Sequence, residues 1–422
     1  MSLLQRLFGR KPAAPKNEAE TISITDADRW LDAFGGGRVA SGVLVNEATS
    51  MRFSAVFACV RLIGGAIASA PCKVYKANMQ DARRLAASHP AAQMLRIRPN
   101  RFMTAATFWK YMGQAKILQG NAFAHIVRER SGKAVAMFPI NPRNVAVYWA
   151  WELGLDKLPG VERNRLFYRV TWEDGAQSMI DQDDMLHIPN VGWDGKRGMS
   201  TITAAAQGIG LGLAAEESSA SFFSNGMQSS LALKYPNKLT PEAIEVIREH
   251  IGDRYAGAHN HHKPLVLTEG GDVVRLSMTA DDAQLIQSRQ FSVIDICRFF
   301  GVPPVMVGET EKTSSWGSGV EQMARWFTTF TLNDHLTAFE QELEVKIFRG
   351  DGHVAEFDES ELTRGDTKTR GEFYRIARGS MQEPGFMTVN EIRTSEGLAP
   401  VEGGDAIQRP QEQPAGGGTG AA

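Results

Sequence analysis

The 422-residue chain lacks an excess of either charge and lacks any long apolar run. Its 46 Lys and Arg nearly balance 48 Asp and Glu, which gives a net charge of −2. Proteins that hold DNA tightly regardless of its sequence place many cations at phosphates, so that class is disfavoured, whereas DNA passing by without being held is compatible with this balance. No apolar run reaches the roughly 18 residues that a membrane-spanning helix needs, so we expect no membrane partner.

Cysteine is also scarce, since the chain has only Cys59, Cys72 and Cys297. These three positions do not have the close spacing of metal ligands. We therefore expect that the chain folds in a reducing, cytoplasmic environment. Cys59 and Cys297 fall within apolar helical patterns, so we predict that both are small core residues.

Nucleotide-binding motifs are missing as well, because the chain contains no G-x-x-x-x-G-K-[ST] sequence. "QGIGLGLA" at 207–214 has a G-x-G-x-G spacing, but it lies inside an Ala-rich helical pattern with no strand before it, so it does not predict a dinucleotide site. Each glycine costs up to about 1 kcal/mol in a helix, and tight packing must offset that cost. We therefore predict that Gly208, Gly210 and Gly212 let another helix approach closely.

Histidines and paired carboxylates each have a structural explanation. "HNHH" at 259–262 has imidazoles that suit a transition metal, but adjacent histidines in a Gly/Asn loop are more typical of a solvated turn. His125 and His187 fall in strand patterns and are predicted to be satisfied within the fold. The acidic pair at 183–184 leads into a predicted strand, and the pair at 281–282 occupies the first turn of a predicted helix. We therefore predict no catalytic site, no metal and no cofactor, and a protein that is not an enzyme.

The hydrophobic periodicity predicts an α+β fold in which two long helices bracket a small insert. Helices and short alternating strands fill the chain up to about residue 200, and the bracketing helices are predicted at 201–226 and 279–300. Between them, 227–278 reads as a small α/β module held out on a two-helix stalk. A loop, a helix of about thirty residues, a single strand and a helical end module follow, and this shape favours assembly over catalysis. The apolar residues of that helix, among them Phe327, Phe330 and Leu336, are predicted to fall on or near one stripe.

The loop before the long helix is nearly neutral and rich in hydroxyl groups. We select it as a candidate site, comprising Glu309, Thr310, Glu311, Lys312, Thr313, Ser314, Ser315 and Trp316. One interpretation is an ordinary surface loop in which Trp316 staples the helix start. The other is a mobile loop that faces a sliding polyanion, because few net cations mean few tight phosphate contacts.

Several stretches together resemble one known family. They are "FFGVPPVMVGETEKTSSWGSGVEQ", "SAVFACVRLIGGAIASAPCKVY", "HPAAQMLRIRPNRFMTAATFWKYM", "QGNAFAHIVRERSGKAVAMFPINP", "GMSTITAAAQGIGLGLAAEESSASFFSNG" and "MTVNEIRTSEGLAPVEGGD". They occur in the order typical of the Hong Kong 97-like portal proteins of tailed DNA phages, and the resemblance spans about residues 45–405. The stretch at 301–319 is the most specific.

The resemblance implies a ring of twelve subunits at one capsid vertex, with a channel for DNA packaging and ejection. It implies a wing at 26–200, stem helices at 201–226 and 279–300, a clip at 227–278, a tunnel loop, long helix and wing return strand at 301–360, and a crown at 361–400. Composition, and not the resemblance, predicts a disordered basic arm at 1–25 and a disordered tail at 401–422. In such a ring, neighbouring stem helices would pack closely around a narrow channel, which would explain the three glycines of the first stem helix.

The partners implied are further copies of the chain, double-stranded DNA in the channel, the large terminase subunit, the major capsid or scaffolding protein, and head–tail adaptors. The protein would be assembled in the host cytoplasm and would reside in the virion, at the portal vertex of the capsid. A ring-forming structural protein of a gene-transfer particle or prophage is the alternative within this class. A nucleic-acid-processing enzyme and a scaffold protein without a DNA pore are the rivals from other classes.

Overall fold

The structure is a computed structural model, and it describes a defined part of the chain. The described residues are 37–76, 84–224, 231–234, 240–241, 244–245, 272–275, 293–309, 318–362, 367–380 and 383–408. The predicted basic arm, the "HNHH" stretch, the acidic pair at 281–282 and the loop from 310 to 317 lie outside them. In the described part, no helix combines the length and the apolar character needed to cross a membrane.

Helices form where the apolar residues recur every three or four positions. In chain order they are α1 Glu47–Ser50, α2 Ser54–Ser69, α3 Pro90–Arg96, α4 Ala105–Gln119, α5 Thr201–Ala204, α6 Ala206–Ser224, α7 at 293–300, α8 Ser318–Phe327, α9 Asn333–Leu343, α10 Thr367–Arg378 and α11 Val389–Ser395. Two π-helical segments, Thr328–Leu332 and Glu344–Phe348, connect α8 to α9 and extend α9, so the chain is helical from 318 to 348.

Strands form where apolar and polar residues alternate. They are β1 Gly37–Arg38, β2 Leu44–Val45, β3 Cys72–Lys76, β4 Arg84–Leu85, β5 Asn121–Arg128, β6 Ala134–Ile140, β7 Val145–Trp149, β8 Leu166–Thr171, β9 Gln177–Asp181, β10 Met185–Pro189, β11 Leu231–Lys234, β12 Asp272–Arg275 and β13 His353–Phe357. They make small sheets of two or three strands, ordered β1-β2, β10-β5-β6, β11-β12, β13-β3-β4 and β7-β8-β9. The predicted α+β class is confirmed.

The chain divides into two compact units that alternate along the sequence. Unit 1 comprises Met1–Gly64, Tyr111–His125 and Pro139–Glu311, and unit 2 comprises Gly65–Lys110, Ile126–Phe138 and Lys312–Ala422. Inside the predicted insert, β11 pairs antiparallel with β12, with Leu231 opposite Arg275. The described part of the insert therefore contains a two-stranded sheet.

The core of unit 1 lies against the β7-β8-β9 sheet. In β8, Tyr168 and Val170 are buried and Arg169 and Thr171 are exposed, as the alternating pattern predicts. The buried members of this core cluster are Phe123, Ile140, Val145, Val147, Tyr168, Val170, Ile180 and Met185. All eight are strand residues, so this core depends on the two-residue periodicity of the strands.

The core of unit 2 surrounds Trp109 of α4, which is 2% exposed. Its ring packs edge-on against Phe339 of α9 and Phe357 of β13, with centroids 5.5 and 5.0 Å away. The indole Nε1 donates a hydrogen bond to the carbonyl oxygen of Leu95 at 3.0 Å, so its buried polar atom is satisfied. β13, the strand predicted after the long helix, pairs antiparallel with β3 and places Phe357 opposite Cys72.

The long helix departs from its predicted apolar stripe at one turn. The sequence predicts that Phe330 lies on the stripe with Phe327 and Leu336, but Phe330 is 67% exposed and Leu332 is fully buried instead. The π-helical segment Thr328–Leu332 accounts for the difference, because its wider turn rotates the side chains after it relative to an ideal α-helix. The expectation for Phe330 was therefore wrong.

Two phenylalanines of this helical stretch provide a matched test. Phe339→Ala removes a fully buried ring beside Trp109, and we expect a loss of about 3–5 kcal/mol in the free energy of unfolding. Phe330→Ala, the control, should change it by less than about 0.5 kcal/mol because the ring is mostly exposed. Urea unfolding of the unassembled chain, followed by circular dichroism, measures both. Equal losses would contradict this account of the core.

Candidate functional site

The predicted first stem helix begins at a side-chain cap. Ser200 precedes α5, and its Oγ accepts hydrogen bonds from the backbone N–H groups of Ile202 and Thr203 at 3.1 and 3.3 Å. The same hydroxyl donates to the carbonyl oxygen of Leu118 at 2.6 Å. The sequence predicts one helix over 201–226, whereas the structure has α5 and α6 separated at Ala205, and residues 225–226 lie outside the described part.

The buried Asn121 amide connects the start of β5 to the residues just before this helix. Asn121 Oδ1 accepts from the Gly198 N–H at 2.9 Å, and Asn121 Nδ2 donates to the Gly198 carbonyl oxygen at 3.1 Å. On the other side of the helix start, Asn190 Nδ2 donates to Thr201 Oγ1 at 3.1 Å. The helix is thereby fixed at its beginning to two separate parts of unit 1.

His187 completes this arrangement and is satisfied within the fold, as predicted. Because an amide oxygen can only accept, His187 Nε2 donates to Asn121 Oδ1 at 3.0 Å, and Nδ1 accepts from the Tyr168 hydroxyl at 3.1 Å. The His187 ring also stacks on Phe123, with centroids 4.4 Å apart. His125 is half-buried in β5, and burial lowers its pKa while the carboxylate of Asp184 opposes that shift.

Gly120 shows how closely the backbones approach at this junction. Its φ of +76° lies in the left-handed region, and a Cβ added there would meet the Gly198 carbonyl oxygen at 2.4 Å. A Cβ at Gly198 would in turn meet the Asn190 nitrogen at 2.4 Å. Any side chain at either position would therefore have to push backbone apart, so the chain needs glycine at both.

The three predicted packing glycines of α6 do not have equivalent surroundings. A Cβ at Gly210 would lie 2.2 Å from Val39 Cγ2, and a Cβ at Gly212 would lie 2.7 Å from Phe53 Cζ. A Cβ at Gly208 would meet Asp295 Oδ2 and Ile296 Cδ1 of α7 at ordinary contact distances of 3.7 and 3.8 Å. The closest packing at Gly210 and Gly212 is thus against segments N-terminal to α2 in the same chain, while Gly208 faces the helix α7.

The described part of the second predicted stem helix is α7, which ends as the sequence predicts. Gly301 follows the helix with φ +65°, and the Val302 N–H donates to the Cys297 carbonyl oxygen at 2.9 Å. Cys297 and Cys59 are both buried, which confirms that they are core residues. A hydrogen bond with the Cys297 thiol, together with burial, raises the pKa of the Cys59 thiol.

The candidate loop is described only at its first residue, Glu309. Before it, Pro304–Val307 forms a 3-10 turn that ends at Gly308 with φ +97°, and the Glu309 N–H donates to the Pro304 carbonyl oxygen at 3.1 Å. The remaining predicted members, Thr310 through Trp316, lie outside the described residues. Their role in contacting DNA stays a prediction.

Asp183, the first residue of the acidic pair at 183–184, lies beside Arg165. Arg165 reaches Asp181 at 2.6 Å and Asp183 at 2.7 Å, which makes a three-residue ion network at the ends of β8 and β9. The carboxylates of Asp181 and Asp183 therefore join two strand ends, and the pair at 183–184 leads directly into β10, as the sequence predicts.

One group of ionisable residues in unit 2 was missed by the sequence analysis. His89, Asp351 and His353 converge although two of them lie far from the third in sequence. The D-x-H spacing at 351–353 after a helix was a signal, but nothing in the sequence indicated that His89 would join it.

Comparisons with known proteins show which family the chain resembles. A family model described as "Phage portal protein" matches residues 54–397. The portal protein of Enterobacteria phage HK97 is 31% identical over 369 residues, which cover 86% of this chain and 83% of that protein.

Two solved chains show the same fold. One is from the neck of an empty GTA particle computed with C6 symmetry, with a TM-score of 0.58, 22% identity, and coverage of 89% of this chain and 100% of that chain. The other is from the neck of a native GTA particle computed with C12 symmetry, with a TM-score of 0.56, 21% identity, and coverage of 89% and 99%. The chain thus shares its fold with these two solved chains.

The extent of the family match and the 31% identity establish more than the fold: the chain belongs to the phage portal protein family. The family predicted from the quoted stretches is confirmed. It is a family of structural proteins.

The unequal surroundings of the α6 glycines give a direct test. Gly210→Ala should destabilise the chain by about 1–3 kcal/mol because the new methyl group overlaps Val39 Cγ2. Gly208→Ala, on the same helix, should stabilise it by up to about 1 kcal/mol because alanine favours the helix and has room there. Urea unfolding measures both changes.

The double variant Gly210→Ala/Val39→Ala isolates the contact. Removing Val39 Cγ2 should recover part of the loss, and a double-mutant cycle gives the coupling between the two positions. Additive effects of the two substitutions would show that Val39 is not the group that requires a glycine at 210.

Proposed function

We propose that the chain is the repeating subunit of a portal ring at one vertex of a capsid, and that DNA enters and leaves through the centre of this ring. The observation that carries the proposal is the family match over residues 54–397. Near-neutral overall charge supports a channel rather than tight DNA binding, since tight binding regardless of sequence relies on an excess of cations at the phosphates.

Twelve copies are the proposed ring size. The similar solved chain from the native GTA neck was computed with C12 symmetry, and this supports the same number here. A closed ring uses a head-to-tail interface in which each subunit presents two different faces. Leu211 is suited to such a face, because it is 58% exposed on α6 while its neighbours Gly210 and Gly212 are buried within the subunit.

The regions of the ring follow the division predicted from the resemblance. The wing would be 26–200, the stem 201–226 with 279–300, the clip 227–278, and the crown 361–400. Residues 401–408, predicted as the start of the tail, are held against α11, where Asn390 Nδ2 donates to the Val401 carbonyl oxygen at 3.0 Å and to Asp405 Oδ1 at 2.9 Å. We place the end of the crown after Asp405 for this reason.

The proposed partners are the large terminase subunit, the major capsid or scaffolding protein, and head–tail adaptors, with the virion as the final location. The clip is the region proposed for terminase and adaptor docking. We propose that the chain has no catalytic activity of its own, and an ATPase assay on the purified chain should read at background. ATPase activity above background would contradict this proposal if a variant with a disrupted core, such as Phe339→Ala, abolishes that activity.

A gene-transfer particle is the second candidate setting. It is favoured by the solved GTA neck chains, which this chain covers almost completely. Sequencing the DNA inside purified particles separates the two settings. A single repeated genome indicates a phage, whereas fragments sampled across a host chromosome indicate gene transfer.

Ring formation is the first prediction of this proposal. Mass photometry of the purified chain should show closed oligomers of about twelve subunits, and negative-stain images should show a central hole. Leu211→Glu should reduce the ring fraction at least tenfold without changing the unfolding midpoint, because it puts a charge on the exposed side of α6. Val135→Glu, at another exposed apolar residue, is the matched control.

Rings that form equally well with Leu211→Glu would remove the assigned role of this face. A chain that stays monomeric at every concentration and salt tried would overturn the proposed function itself.

The loop provides the second prediction. Deleting residues 310–315 removes its hydroxyl and charged groups, and we expect normal rings but a reduced amount of DNA packaged or retained per particle. Replacing the same six residues with a Gly/Ser linker of equal length controls for loop length. A full DNA content in particles of both variants would show that the side chains of this loop have no role in handling DNA.

A further inference from the structure

Three side chains from separate parts of unit 2 meet at one place on its surface. His89 precedes α3, Asp351 lies in the turn after the helical segment ending at Phe348, and His353 begins β13. Their potential ligand atoms all lie within 4.8 Å of one another. His89 Nε2 is 3.4 Å from Asp351 Oδ2, and His353 Nδ1 is 3.2 Å from Asp351 Oδ1.

These separations match those between ligands of a small tetrahedral metal site. With metal–nitrogen and metal–oxygen bonds of about 2.0–2.1 Å, neighbouring ligand atoms of a tetrahedron are about 3.3 Å apart. Each histidine–aspartate distance is close to that value, and the two distances end on different oxygens of Asp351, Oδ2 and Oδ1. To share one ion, the carboxylate has to turn so that one oxygen faces both imidazoles, and the imidazoles have to move closer to each other.

The surroundings hold the three side chains in place. The Asp351 N–H donates to the Phe348 carbonyl oxygen at 3.0 Å, and Asp351 Oδ1 accepts from the His353 N–H at 2.9 Å, so the carboxylate is fixed by its own turn. The Phe348 ring lies 5.5 Å from the His89 ring and forms an apolar wall. The side chains of His89 and His353 are only 20% and 22% exposed, while Asp351 is open to solvent.

We propose that His89, Asp351 and His353 bind one divalent transition-metal cation, with Zn²⁺ the best match and water in the fourth position. Two imidazoles and one carboxylate suit Zn²⁺ and its neighbours in the first transition row, whereas Mg²⁺ and Ca²⁺ prefer all-oxygen sites. The bound ion would connect the start of α3 to the turn that leads into β13. This proposal does not depend on ring formation or on contact with DNA.

The protons on His89 limit how tightly the metal is held. His89 Nδ1 accepts the Ala91 N–H at 3.2 Å, so the proton of the neutral ring sits on Nε2. Coordination through Nε2 moves that proton to Nδ1, and the hydrogen bond from Ala91 is given up. Lys133 is also close enough for its charge to act on His89. We therefore expect binding weaker than that of a closed, four-ligand structural zinc site.

The test uses the full-length chain carrying His259→Ala, His261→Ala and His262→Ala, which removes the other histidine cluster. Isothermal titration with Zn²⁺ should give one ion per subunit. His89→Ala, Asp351→Asn and His353→Ala should each weaken binding at least tenfold. The matched controls are His125→Gln, a half-buried histidine outside the cluster, and Asp334→Asn, an exposed aspartate on α9. Neither should change Zn²⁺ binding.

Co²⁺ provides a second measurement that does not depend on the stability of the variants. The chain that carries only the three substitutions at 259, 261 and 262 should bind Co²⁺ and show the visible absorption band of tetrahedral Co²⁺. Added Zn²⁺ should displace the Co²⁺ and remove this band. Binding that survives the combined His89→Ala/His353→Ala substitutions would overturn the proposal, as would equal affinity for Mg²⁺. If binding is lost only in variants that also lose their far-ultraviolet circular dichroism signal, unfolding explains the loss. The Co²⁺ spectrum of the folded Asp351→Asn variant then tests the proposal, and an unchanged tetrahedral band would contradict it.

Discussion

The position of α5 depends on one buried amide. Asn121 of β5 exchanges two hydrogen bonds with the backbone of Gly198 and accepts a third from His187, so a single side chain satisfies polar groups from β10 and from the segment just before α5. Removing this side chain would leave those buried polar groups unpaired, which costs free energy. The backbones can come close enough for these bonds only because glycine occupies 120 and 198.

The fold could be predicted well where local chemistry decides it. Gly301 ends α7, and the two-residue alternation in β8 gives the buried side of its sheet. The prediction failed at Phe330, because a π-helical segment arises from how the whole helix packs and leaves no mark in a three-or-four-residue pattern. Ala205 is a similar case, since nothing in an Ala-rich run predicts a break there.

The candidate site was less predictable because its contacts are distant in sequence. The need for close packing at Gly210 followed from the cost of glycine in a helix, but its partner Val39 lies before α1 and could not be identified. His89 illustrates the same limit, since its meeting with Asp351 requires α3 and β13 to be placed first. Composition and motif order nevertheless predicted the family, because a long series of moderately specific stretches is harder to match by chance than any one of them.

Burial of all three cysteines has a practical consequence for watching this protein at work. Cys59, Cys72 and Cys297 are each 1% exposed or less, and burial, with the nearby charge of Glu340, raises the pKa of the Cys72 thiol. Because a maleimide dye reacts with an accessible thiolate, the native chain should remain unlabelled. A single cysteine introduced on the surface would therefore carry one fluorophore at a known position, and distances between copies could be followed without first removing any native residue.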